Sequence, residues 1–156
     1  MAIASDRSAD RDRILIINRV FDAPRRVVWK AWAEPEQLVR WIGPAGFTAK
    51  ILEFDPRPGG VFRFHMRGPD GTDHWQKGVF REIVEYERIV RTFVWTDADG
   101  SPTLPETLLT VEFEDLGATT RLTLRQEVFE SVTARDLHRG GWSSALDKLA
   151  EHLAAA

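Results

Sequence analysis

The chain has 156 residues, with 21 Lys and Arg against 24 Asp and Glu, a net charge of −3 and no cysteine. Disulfides, thiolate metal sites and a cysteine nucleophile are therefore excluded, and signs interspersed without a basic stripe argue against nucleic-acid binding through phosphate neutralisation. One domain of this length buries roughly two-thirds of its unfolded surface, so stability must come from packing, to which six Trp and nine Phe bring most of the bulk.

In chain order, residues 1–12 alternate acid and base with little apolar anchorage and are expected to form a solvated leader to a single domain over 13–156. No apolar run approaches the roughly 20 residues of a membrane span, and the start lacks the apolar core of a signal peptide, so a cytoplasmic protein is expected. Ile14 to Phe21 is apolar and β-branched and predicts a first strand. Asp22-Ala23-Pro24 breaks it, and Pro24 opens a helix whose Val28, Ala31 and Trp32 share a face. Trp29 and Trp32 lie three positions apart and are expected to pack together against the sheet. Pro35 stops that helix, and a second short one runs from Glu36 to Trp41 before Gly43-Pro44.

Six further strands follow: Phe47 to Phe54, Val61 to Arg67, Asp73 to Val84, Arg88 to Trp95, Thr107 to Glu114 and Thr119 to Glu127. The connectors Pro58-Gly59-Gly60, Pro69-Asp70-Gly71, Asp97-Ala98-Asp99-Gly100 and Leu116-Gly117 carry turn chemistry, which predicts a meander of hairpin neighbours. From about Ala134 to Leu153 the spacing of Trp142, Ala145, Leu146, Leu149 and Leu153 marks one face of a long helix. The pair Gly140-Gly141 inside it predicts a close approach or a bend, unless the helix begins later. Strand, two helices, six strands and one long helix make an α+β fold.

Several stretches, in order, are similar to one known family. They are Phe21-Asp22-Ala23-Pro24 with Val28-Trp29-Lys30-Ala31-Trp32, Arg40-Trp41-Ile42-Gly43-Pro44, Pro58-Gly59-Gly60-Val61-Phe62-Arg63-Phe64, Gly78-Val79-Phe80-Arg81-Glu82-Ile83, and His138-Arg139-Gly140-Gly141-Trp142 through Leu149. Together they resemble the activator of heat-shock-protein-90 ATPase homologue family, a branch of the START-like, birch-allergen-like helix-grip superfamily (SRPBCC). The resemblance implies a seven-stranded antiparallel sheet curled around the C-terminal helix, with two short helices between strands 1 and 2 and a cavity between sheet and helices. It also implies either a hydrophobic ligand or chemistry on one, and the family name adds a stress-linked chaperone contact.

Alternation puts Phe62, Phe64 and Met66 on one side of their strand, assigned inward, and Phe93 and Trp95 on another inward face, with Val111, Phe113, Leu122 and Leu124 beside them. Read singly these residues fill a core; read together under one helix they line a pocket. The candidate ligand-binding residues are Phe62, Phe64, Met66, Phe80, Phe93, Trp95 and Trp142. Trp41 is placed as a gate at the cavity mouth implied by the family. His74 and Trp75 are also candidates, since either the His74 and Gln76 set or the Trp75 set must face inward. No pair among His65, His74, His138 and His152 has metal-ligand spacing, so no metal and no cofactor are expected. For His138, four residues before Trp142, a hydrogen bond fixing the helix start is expected. Ser143 and Ser144 lack a nucleophile elbow, and Gly59-Gly60 is no phosphate loop.

Three functions remain open. A domain that encloses a small hydrophobic molecule, non-enzymatic or of unassigned activity, comes first. An interaction protein contacting a chaperone through its surface is second, and a cavity enzyme of cyclase, hydrolase or isomerase type using His74 or His65 as a base is third. A monomer or a homodimer through an exposed edge strand is compatible with each.

Overall fold

The computed structural model describes residues 13–127 and 129–155, so the expected leader over 1–12 lies outside the described residues. Seven strands and three helices follow the expected order: β1 (Leu15–Phe21), α1 (Arg25–Ala33), α2 (Pro35–Trp41), β2 (Thr48–Phe54), β3 (Val61–Arg67), β4 (Asp73–Val84), β5 (Arg88–Thr96), β6 (Thr107–Asp115), β7 (Thr120–Glu127) and α3 (Val132–Ala154). They form one antiparallel sheet in the order β1-β7-β6-β5-β4-β3-β2. The meander is thus closed by β1 returning beside β7, with Ile17 opposite Leu124.

The sheet bends where its sequence permits. The register shifts between Ile51 and Glu53 on β2 and between Phe80 and Glu82 on β4, and extra residues of this kind sharpen twist and curl. At Gly78, between these bends, a Cβ would collide with the Thr92 carbonyl and the Phe62 ring, so only glycine lets β4 lie this close to its neighbours. Alternation holds on the concave face, where Phe62, Phe64 and Met66 of β3, Val111 and Phe113 of β6, and Leu122 and Leu124 of β7 are buried.

Ser131 caps α3 by accepting a hydrogen bond from the Ala134 amide, so the helix begins slightly earlier than its apolar stripe. At 23 residues it is about 35 Å long and runs unbroken through Gly140 and Gly141, neither of which is at a forced close approach. Its second half buries Leu146, Leu149 and Leu153; its first half, before Trp142, buries nothing completely. Helix α1 covers β6, where Trp29 meets Phe113 edge-on at 5.3 Å, and α2 packs on α1 and α3, with Trp32 meeting Trp41 at 4.7 Å, while α3 lies against β1. No described helix is long and apolar enough to cross a membrane.

Candidate functional site

Because α1 and α2 fill only one side of the curl, the other side stays hollow. A cavity of about 770 Å³ lies between the first half of α3, the start of β4, the end of β5 and the loop after α2. Its walls are largely apolar: Ile42, Pro44 and Phe47 from the loop, Met66 from β3, Phe93 and Trp95 from β5, and Leu137, Trp142 and Ala145 from α3. Leu104 and Leu137, 40% and 72% exposed, mark the mouth.

Hydrogen bonds hold these walls in place. The Trp142 indole N–H donates to Gln126 Oε1 at 2.8 Å, Gln126 Nε2 donates to Thr107 Oγ1 at 2.8 Å, and Thr107 Oγ1 donates to the Phe93 carbonyl at 3.1 Å. One wall of the cavity is thereby tied to the opposite wall through a fully buried glutamine. Trp142 also stacks on Trp32 at 5.9 Å, so its other face belongs to the packed core. The loop after α2 is pinned to α3 by Ser144 Oγ, which accepts from the Ala45 amide at 2.7 Å, and by Lys148, whose ammonium donates to the carbonyls of Gly43 and Pro44. Partial burial holds the Lys148 ammonium below its ordinary value. Gly43 turns that loop with a φ of 88°, which suits glycine.

His138 works as a two-handed clip. Trp95 Nε1–H donates to His138 Nε2 at 2.9 Å, and because an indole nitrogen can only donate, the imidazole proton sits on Nδ1 and goes to the Ala134 carbonyl at 2.8 Å. The structure therefore shows the helix-fixing hydrogen bond expected for His138 and adds a tie to β5. Burial pushes its pKa down, against the opposing pull of the Ala134 carbonyl.

The ten expected site residues divide. Met66, His74, Phe93, Trp95 and Trp142 line the cavity together. Trp75 borders it, but its ring stacks on His65 at 5.0 Å on the convex face, opposite to His74 and Gln76. Phe62, Phe64 and Phe80 lie outside the cavity lining, packed among themselves and with Phe54 at 4.9–6.3 Å. Trp41 is not at the mouth: it is fully buried, and its indole N–H donates to the Ala31 carbonyl at 2.9 Å, joining α2 to α1. The mouth is instead flanked by residues that sequence reasoning passed over. Leu137 sits off the apolar stripe of α3 and Leu104 stands in a polar loop; each was an apolar residue out of pattern.

Polar groups in the wall are few and differ in availability. Asp73 accepts from His65 Nε2 and Arg67 Nε, both at 2.9 Å, which holds its carboxyl below the usual range, the Arg67 bond contributing most. Asp97 accepts from the amides of Asp99 and Ser101. Gln76, 3% exposed, makes only a 3.5 Å contact from Nε2 to the Met66 sulfur, and His74 makes ring contacts with Phe47 and Trp95 but no hydrogen bond among the described residues. His65, one candidate base, faces away from the cavity in its pair with Asp73. No group of three or more His, Asp or Glu gathers as metal ligands among the described residues.

A family model described as activator of Hsp90 ATPase homolog 1-like protein matches residues 22–154. A comparison with curated proteins returned no match. Among solved structures, a protein from Chromobacterium violaceum is similar with 29% identity and a TM-score of 0.82 over 90% of this chain and 96% of the other. A protein from Arthrobacter aurescens gives 29% identity and 0.84 over 94% and 88%. The AHSA1 protein from Silicibacter pomeroyi, at 23% identity and 0.83 over 91% and 98%, shares the fold.

Proposed function

The chain belongs to the activator of Hsp90 ATPase homolog 1-like family, and from that premise and its cavity we propose that it binds a small hydrophobic molecule between the sheet and the C-terminal helix. The observation that carries this reading is an apolar chamber of about 770 Å³, within the range of about 300–1,000 Å³ in which small molecules are held. A ligand burying about 300 Å² of apolar surface there gains roughly 7 kcal/mol before ordering costs, at about 25 cal/mol per Å². Met66, Phe93, Trp95 and Trp142 supply the apolar contacts, and Gln76 and His74 the hydrogen bonds that orient the ligand. Phe62, Phe64, Phe80 and Trp41 shape the chamber from behind. A cytoplasmic location and a stress-linked role belong to the same proposal.

Native mass spectrometry of the purified protein, with a tryptophan-fluorescence screen of hydrophobic metabolites, tests it. Trp95 and Trp142 stand in the wall, so occupancy is expected to change emission saturably, and a co-purifying mass identifies the ligand. No bound mass and no response across the screen would contradict the reading.

The family description favours a second reading, contact with a chaperone through the outer surface. A pull-down with the chaperone that survives plugging of the cavity would support it; one that is lost with the plug, or never seen, would not.

A further inference from the structure

Beyond the cavity lining, next along β5 from Phe93, lies an arginine without a hydrogen-bond or ion-pair partner among the described residues. Arg91 is 3% exposed, yet it makes no hydrogen bond and no ion pair among the described residues, and its Nη2 is sealed from solvent. Its guanidinium lies 4.3 Å from the Phe62 ring centroid and 5.9 Å from that of Phe64. Aromatic faces offset part of the cost of burying a cation, but such a charge is ordinarily retained only where a counter-charge reaches it. Burial lowers its pKa to about 9, which leaves it a cation at neutral pH.

The position relative to the cavity is set by the strands. Arg91, Phe93 and Trp95 succeed one another on one face of β5, so Arg91 is the next inward residue beyond the cavity's Phe93. Arg91 itself pairs with Phe80, but its guanidinium reaches to 5.9 Å from the ring of Phe64, the strand partner of the cavity residue Gln76, whose amide has only the Met66 sulfur as a partner among the described residues. At the other end of the chamber the wall carries Asp73 and Asp97, already engaged by their own donors, so among the described residues no unpaired cation competes with Arg91 there.

We propose that the ligand is an amphipathic acid, an apolar body with one carboxylate, and that the carboxylate enters inner end first, hydrogen-bonds to Gln76 and takes Arg91 as its counter-charge. This rests on the hydrophobic-ligand reading and adds the ligand's class and orientation. The same arrangement explains why an arginine occupies a strand position flanked by Ile89 and Phe93, where every other inward residue of β5 is apolar.

Matched probes decide it: decanoate below its micelle concentration and decanol below its solubility limit, titrated at neutral pH into the wild type, Arg91→Lys and Arg91→Met. The wild type is expected to bind decanoate at least tenfold more tightly than decanol, Arg91→Lys to keep part of that preference, and Arg91→Met to abolish or reverse it. Decanol binding without any preference for decanoate would overturn the acid proposal and leave the hydrophobic-ligand reading intact. A preference that persists in Arg91→Met would also overturn it, placing the counter-charge elsewhere, for instance at Lys148. Binding of neither probe would take both down. Should Arg91→Met fail to fold, the wild-type ratio and Arg91→Lys still decide between these outcomes.

Discussion

The two halves of α3 sit on the same sheet and behave differently. From Leu146 to Leu153 the helix presses leucines into a core completed by α1, α2 and the Trp29, Trp32 and Phe113 cluster. From Val132 to Gly141 it spans a hollow, touching the opposite wall through the His138 and Trp95 hydrogen bond and, one turn on, the relay from Trp142 through Gln126. Dispersion and burial hold one half and a few directional polar bonds hold the other. A curved sheet with two insert helices has apolar filling for one end only, so the unfilled end is where a ligand can take the place of core.

Leu149→Ala should break the packed half most severely. Leu149 is completely buried, and such truncations cost about 2–5 kcal/mol, the transfer loss plus the cavity left behind; urea denaturation would read this as a lower midpoint at an unchanged slope. Gly140→Ala should act with the opposite sign. A Cβ there meets nothing within 4 Å, so the gain in helix propensity, about 1 kcal/mol, should appear undiminished as a raised midpoint.

Acidification should loosen the hollow half first. The folded protein holds His138 below its ordinary value of 6.5, so between that value and the lower folded one the unfolded chain binds more protons. Stability is therefore full above about pH 6.5 and is lost progressively as pH falls towards His138's folded value. Protonating Nε2 also removes the acceptor of the Trp95 indole. His152 is lowered as well, chiefly by burial, and contributes with the same sign. Denaturation midpoints followed from about pH 8 to about pH 5, a window that brackets histidine's ordinary range, should fall with acid and fall less in His138→Asn. At the mouth, Leu137→Ala should change stability by no more than about 0.5 kcal/mol, because the side chain is 72% exposed; a large loss would mean that the first half of α3 is held by packing after all.

Strands and helices were legible because their physics is local. Period-two runs closed by Gly and Pro turns fixed every strand to within about a residue, and Phe62, Phe64 and Met66 announced their inward face. The return of β1 to β7 was not legible, since nothing near Ile17 in sequence points to Leu124. Nor was the division between core and cavity. Phe62 and Phe93 are both buried, inward-facing phenylalanines, and only tertiary neighbours, Phe64, Phe80 and Arg91 around Phe62 and a hollow before Phe93, decide that one packs and the other lines a chamber. Trp41 illustrates the same point, since the family resemblance implied a mouth there while its indole had a partner ten residues back at Ala31. Arg91 did carry a signal. The alternation that put Phe93 and Trp95 inward put Arg91 inward too, and a cation on an apolar face is the more informative of the two observations.

The most direct test of the hollow half as a binding chamber is to fill it. Gly141 lines the cavity, and a Cβ there meets only the Pro44 ring at 3.7 Å, an ordinary contact. Gly141→Phe should therefore place a ring in the chamber while leaving the packed half of α3 untouched. Fluorescence titration of wild type and Gly141→Phe with a ligand found in the metabolite screen, or with decanol, should show saturable binding in the first and at least a tenfold loss in the second, at equal or greater thermal stability. Equal affinity in the two proteins would contradict the account and place the ligand outside this cavity.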